Sequence, residues 1–176
     1  MANIYPGSKA KSGVFEWIIS QMPPHTTYIE GCLGSGQIAR RKRPAQFNIG
    51  IESNQKVIER FHVGARAVPG LEVVCTDAIL WLESRSYGTI LDGALVYLDP
   101  PYIRETRLNA APIYGAHEWT LEHHEQMLNV VNRLTCFVMI SGYRHELYDR
   151  KLADWRRLDR PVVVHRGIPR VESLWC

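Results

Sequence analysis

The sequence predicts a doubly wound α/β fold built on a mainly parallel sheet, and three observations lead there. Short apolar runs alternate with stretches of helical spacing along nearly all of the 176 residues. Successive runs end in or near an acid: Glu30, Glu52, Asp77 and Asp99. A glycine turn, Gly31-Cys32-Leu33-Gly34-Ser35-Gly36, follows the first of them, where the carboxyl end of a parallel strand would receive a ligand. The length suits one domain spanning 1–176.

The elements follow in order. Lys11 to Met22 places Val14, Phe15, Ile18 and Ile19 on one side, a helix stopped by Pro23-Pro24. Thr27 to Glu30 is a strand entering the glycine turn, and Gln37 to Arg43 starts a short helix behind it. Phe47 to Ile51 is a strand ending at Glu52, with a helix over Asn54 to Phe61. Leu71 to Cys75 is a third strand ending near Asp77, followed by helical Ala78 to Glu83. Leu95 to Leu98 delivers Asp99, and Ile103 to His117 is polar and irregular, short enough for a working loop. Leu121, Met127, Leu128 and Val131 mark a helix from Trp119 to Leu134, with Thr120 as N-cap. Cys136 to Ile140 is the fifth strand, ending in Ser141-Gly142-Tyr143. Trp155 to Leu158 and Val162 to His165 form a closing strand pair around Asp159-Arg160-Pro161.

Composition narrows the class. Hydrophobic residues at 45% and charged residues at 22% suit a globular chain rather than a disordered one. No apolar run approaches a membrane span, and Met1-Ala2-Asn3 opens without a signal peptide. The four cysteines lack paired spacing, which argues against a disulfide framework or zinc site and fits a reducing, cytoplasmic setting. The net charge of +3 suits a polyanionic partner without demanding one. His117, His123 and His124 lack the i,i+4 spacing of a helical metal pair, so no metal is expected and they read as surface residues.

Chemistry concentrates at Asp99-Pro100-Pro101-Tyr102. Two prolines fix consecutive φ angles and remove two amide donors, so the carbonyls of Asp99 and Pro100 are not consumed by a ladder. The result is a rigid corner with a carboxylate, free acceptors and an aromatic ring. It suits a planar heterocycle bearing an amine, although the same residues also occur as plain loop punctuation. Glycines at 34 and 36 let a ligand approach the backbone closely. Glu52 is placed to accept from the hydroxyls of a ribose, and Asp77 lies one strand further, where an adenine amino group would reach. A glycine turn alone also fits a dinucleotide site or a tight connection.

The ordered series Tyr5-Pro6-Gly7-Ser8-Lys9, Glu30 to Gly36, Glu52, Asp77 and Asp99-Pro100-Pro101-Tyr102 resembles the Dam-type, S-adenosylmethionine-dependent, N6-adenine-specific DNA methyltransferases. The resemblance spans nearly the whole chain and implies the Rossmann-like methyltransferase fold, with S-adenosylmethionine as cofactor and DNA as partner. It implies that Asp99, Pro100 and Tyr102 are catalytic. Tyr5 and Lys9 would embrace the methionine end of the cofactor, Lys9 meeting its carboxylate. Glu30, Gly34 and Gly36 would line the same pocket, Glu52 would hold the ribose and Asp77 the adenine. The family commonly carries Pro and Phe where this chain has Gly31 and Cys32, which predicts a thinner pocket wall. It also carries an inserted target-recognition domain between the second acid and DPPY. Here Ser53 to Leu98 holds only the minimum sheet and helices, so sequence recognition would be relaxed, come from the 103–117 loop, or need a partner chain.

Arg104 and Arg107 follow DPPY directly and Arg144 follows the fifth strand, which makes them candidates for phosphate contacts. Arg40-Arg41-Lys42-Arg43 reads as a solvated helix end or a further nucleic-acid contact. Two alternatives stand beside DNA methylation: an adenine methyltransferase acting on RNA or single strands, and a non-catalytic nucleic-acid-binding subunit of the same fold.

Overall fold

The computed structural model describes residues 13–63, 68–85, 91–107, 111, 113–163 and 167–176. Seven strands form one sheet in the order β3-β2-β1-β4-β5-β7-β6. They are β1 (Thr27–Gly31), β2 (Phe47–Glu52), β3 (Leu71–Cys75), β4 (Ala94–Leu98), β5 (Phe137–Gly142), β6 (Arg157–Val163) and β7 (Pro169–Trp175). The first five run parallel, while β7 pairs antiparallel with both β5 and β6. The predicted fold class is the observed one.

Strands buried on both faces explain why the apolar runs were legible: β1 and β4 are buried at every position. Side-chain alternation splits the core into two layers. On one face Ile29, Val96, Leu98 and Ile140 pack with α3 (Ala78–Arg85), α4 (Leu121–Val131) and α5 (Glu146–Lys151). On the other, Tyr28, Leu95, Tyr97 and Met139 pack against α1 (Val14–Ser20) and against Phe61 from α2 (Gln55–Val63). No helix among the described residues is long and apolar enough to cross a membrane.

Strand order reverses between β1 and β4, both parallel and adjacent, with β2 on one side and β5 on the other. Such a switch point opens a crevice beyond the carboxyl ends of the strands. Glu30 is the penultimate residue of β1 and Asp99 directly follows β4, so the pairing of the two strands brings these acids to one crevice.

Several expectations are corrected. Residues 37–41 form hydrogen-bonded turns rather than the start of a helix, and the Glu30 carboxylate takes the Ala39 N–H at 2.8 Å, tying the segment to β1. The predicted break at Asp159-Arg160-Pro161 lies inside the continuous strand β6. Since β6 is the sheet edge, Pro161 sits where its missing N–H disrupts little. The pairing strand is β7, further along the chain than 162–165, and α5 was not anticipated, because six residues burying only Leu147 and Tyr148 leave almost no periodicity.

Gly31 has a packing reason. A Cβ there would stand 2.4 Å from Leu98 Cδ2, and Leu98 is fully buried one residue before Asp99. Gly31→Ala is expected to cost about 1–3 kcal/mol of stability, read from urea unfolding. A change below about 0.5 kcal/mol would show that Leu98 can yield.

Candidate active site

A cleft of about 230 Å3 lies over the switch point and is lined by Glu30, Gly34, Glu52, Asp77, Asp99, Pro100 and Tyr102 together. Residues far apart in the chain, read separately as candidates, therefore share one cavity. Tyr5 and Lys9 lie outside the described residues. Gly36 does not line the cleft: its φ is +61°, and a Cβ would meet the Phe61 ring at 2.5 Å, so it serves turn geometry and packing.

Glu52 ends β2 and shapes the glycine turn. One carboxylate oxygen accepts the Gly34 N–H and the other the Asn54 N–H, each at 2.9 Å. Each oxygen retains a second lone pair. Asp77 caps α3, its Oδ1 accepting the N–H groups of Ile79 at 2.8 Å and Leu80 at 3.0 Å. Both acids are thus fixed by backbone donors while bordering the cavity.

Glu30 is buried and accepts from the Tyr28 hydroxyl at 2.9 Å as well as from Ala39. Burial pushes its pKa up to about 7, the hydrogen bonds opposing this. Nearby Lys42 lies over the Tyr28 ring at 4.2 Å, its pKa lowered by burial to about 8. A carboxyl with a raised native pKa binds its proton more tightly in the folded state, so its contribution to stability declines as pH rises from about 4.5 through about 7. Glu30→Gln should therefore be more stable than the parent at pH 8 by roughly 1–3 kcal/mol, the gap closing towards pH 4. Parallel urea curves at both pH values test this; a gap that does not narrow counts against the buried, raised carboxyl.

Asp99 is held by a chain of hydroxyls. Ser141 Oγ donates to Asp99 Oδ1 at 2.8 Å, and the Tyr97 hydroxyl lies 2.8 Å from Ser141 Oγ. With Ser141 donating forward, Tyr97 donates into Ser141, and both are buried. The Tyr102 carbonyl is occupied by Arg107 Nε at 2.5 Å. Among the described residues none donates to the Pro100 carbonyl. The corner thus presents a fixed carboxylate and a neighbouring carbonyl acceptor. Ser141 and Tyr97 escaped the sequence reading because their role depends on β4 pairing with β5.

Other residues change role. Arg107, expected to meet a phosphate, is turned inward: its side chain is 8% exposed, paired with Glu118 and bonded to the Tyr102 carbonyl. The loop doubles back, so proximity in sequence to DPPY became a structural clasp. Arg104 is exposed on a 3-10 turn, Arg104–Thr106. Arg144 is 64% exposed and bonds Asp149 at 2.7 Å. In the 40–43 run, Arg40 bonds the Phe61 carbonyl at 2.9 Å and Lys42 is buried, while Arg41 and Arg43 are exposed, so the run is solvated only in part and ends no helix.

His124 is fully buried rather than at the surface, its Nδ1 2.9 Å from the Tyr148 hydroxyl, and burial lowers its pKa to about 4. His123 bonds Thr120 in the cap of α4, and His117 reaches Ser53 at 3.0 Å across the cavity mouth. Among the described residues no three His, Cys, Asp or Glu side chains converge as a metal site would require.

Cys32 lines the cleft in a left-handed conformation, φ +58°, and burial, reinforced by Glu52, pushes its thiol pKa well up. At Gly31, Leu98 already occupies the space a side chain would need.

No family model matches this chain, and no curated protein matches it in sequence. Solved structures do share its fold. Precorrin-6y C5,15-methyltransferase from Geobacter metallireducens is 11% identical at a TM-score of 0.60, covering 98% of this chain and 95% of its own. Precorrin 8w decarboxylase from Methanobacterium thermoautotrophicum is 14% identical, with a TM-score of 0.59, over 97% of this chain and 92% of its own. A SAM-dependent methyltransferase from Anabaena variabilis is 9% identical with a TM-score of 0.59, over 92% and 80% of the two chains. The fold is therefore the Rossmann-like methyltransferase fold with a C-terminal antiparallel strand pair.

Proposed function

We propose that this protein transfers a methyl group from S-adenosylmethionine to the exocyclic N6 of an adenine in DNA. The observation that carries the reading is the Asp99-Pro100-Pro101-Tyr102 corner opening into the cavity that Glu52 and Asp77 border. The residues fit the cofactor. Glu52 has lone pairs left for the two ribose hydroxyls, and Asp77, fixed by the start of α3, offers its remaining oxygen to the adenine amine. When bound, S-adenosylmethionine supplies an electrophilic methyl on a sulfonium, a ready leaving group.

The protein's own part is orientation. The N6 lone pair is conjugated with the purine ring and is a poor nucleophile. Asp99 and the Pro100 carbonyl accept hydrogen bonds from its two N–H groups, drawing the nitrogen towards a tetrahedral shape and aiming its lone pair; the methylated, positively charged nitrogen then releases one proton to solvent. Because Ser141 and Tyr97 already fix Asp99 Oδ1, that acceptor needs little reorganisation when the base arrives. Positioning of this kind can lower a barrier by several kcal/mol. A paired base cannot reach the corner, so it is flipped out to stack on Tyr102, a contact worth roughly 1–3 kcal/mol.

Transfer of labelled methyl from S-adenosylmethionine to unmethylated duplex DNA, with nucleoside analysis and Asp99→Ala as control, tests the reading. N6-methyladenine made by the parent alone supports it. A second reading, an RNA or single-stranded substrate, is favoured by the absence of any inserted domain among the described residues of 53–98, whose helices and strands are α2, β3, α3 and β4. Single-stranded DNA and RNA oligonucleotides in the same assay separate the two, and added cell extract tests for a partner chain supplying sequence recognition.

A further inference from the structure

Tyr102 is held by two side chains that the transfer reaction, as described, does not use. Its hydroxyl donates to Glu172 Oε1, and its ring meets Tyr143 edge-on, with centroids 4.7 Å apart and planes at 71°. Glu172 belongs to β7 and Tyr143 follows β5, so the antiparallel addition to the sheet reaches back to the corner after β4. Glu172 is only 2% exposed. A carboxylate so buried is unfavourable unless donors serve it; Tyr102 is one such donor, and Arg160 is the register partner of Glu172 on β6.

This contact decides what Tyr102 can do. A phenol donating to a buried carboxylate has committed its only proton. Burial first, then the negative charges of Asp99 and Glu172, hold its pKa well above the ordinary tyrosine value. The hydroxyl is therefore unavailable as an acid or base at the reacting nitrogen, and the ring face is the surface left for a guest.

We propose that Glu172 is a positioning residue for the substrate base: by anchoring the Tyr102 hydroxyl it sets the plane of the stacking ring, with Tyr143 bracing the ring edge. This rests on the function proposed above, and it adds a determinant of base binding from a strand outside the parallel core. Preorganising the ring spares its ordering when the base enters, which places the effect in substrate KM rather than in kcat.

Two measurements test it. In protein labelled with 13Cζ-tyrosine, with Tyr102→Phe identifying the signal, Tyr102 should stay neutral after exposed tyrosines have ionised. Glu172→Gln, which keeps size and removes charge, should bring that ionisation to lower pH; the other charged groups nearby, Asp99, Arg160 and Arg170, are unchanged. A Tyr102 titration indifferent to Glu172→Gln overturns the proposal whether or not the protein methylates anything. In the transfer assay, Glu172→Ala should raise the oligonucleotide KM about tenfold with kcat and S-adenosylmethionine affinity within about threefold, and Glu172→Gln should recover most of it. In a Tyr102→Phe background the same substitution should add less than about twofold. An equal loss in both backgrounds means that Glu172 supports the fold rather than the ring, and overturns the assignment. If the parent protein transfers no methyl to any oligonucleotide, the functional reading falls while the titration still decides the role of Glu172.

Discussion

Asp99→Ala is expected to reduce methyl transfer about a thousandfold while S-adenosylmethionine binds within about twofold of its parent affinity. Asp99 supplies the side-chain acceptor of the corner, and Ser141 holds it at 2.8 Å. Removing the carboxylate deletes an acceptor whose value rises as the amine becomes positively charged, so the loss falls on kcat. The cofactor contacts assigned to Glu52, at the end of β2, and to Asp77, at the start of α3, are separate from Asp99 and remain. Rapid-quench transfer measurements beside calorimetric titration of the cofactor separate the two effects. Transfer within tenfold of the parent would remove Asp99 from the mechanism; a matching loss of cofactor affinity would make it a pocket residue instead.

Glu52→Ala should do the reverse. Its two oxygens hold the amides of Gly34 and Asn54, and each bond to a charged acceptor is worth about 1.5–3 kcal/mol. Without them the glycine turn loses its tether, and the ribose loses its acceptor. Cofactor affinity should drop about a hundredfold, with a midpoint shift in urea as the turn loosens. Glu52→Gln, keeping one acceptor, should fall between the two. A cofactor dissociation constant that moves less than threefold in Glu52→Ala would mean that the acid serves the turn alone.

The parallel sheet was legible because β1 and β4 are buried on both faces and so read as unbroken apolar runs. The site acids were legible for a related reason: in a parallel sheet the carboxyl end of a strand is also the ligand end, so Glu52, Asp77 and Asp99 announced their edge. Direction was not legible. Arg107 sits near the corner, as its sequence position suggests, yet it turns inward to Glu118, and a polar residue in an irregular loop carries no periodicity to say which way it faces. His124, expected at the surface, lies on α4 three and four residues before Met127 and Leu128, a spacing that puts it on the buried face, where it meets Tyr148.

What the sequence determined by itself is the alternation of β1 to β5 with the helices between them and the acids at the strand ends, because each follows from local hydrophobic pattern and chain connectivity, whereas the strand order that makes the switch point came from the tertiary structure. Only the tertiary structure decided how those acids are held. Ser141 reaches Asp99 because β5 pairs beside β4, and Glu172 reaches Tyr102 because β7 returns antiparallel next to β5. Both contacts join residues more than 40 positions apart, with |i−j| of 42 and 70. Side-chain hydrogen bonds at such separations depend on register and packing between strands, and a linear pattern of residue types does not encode them locally.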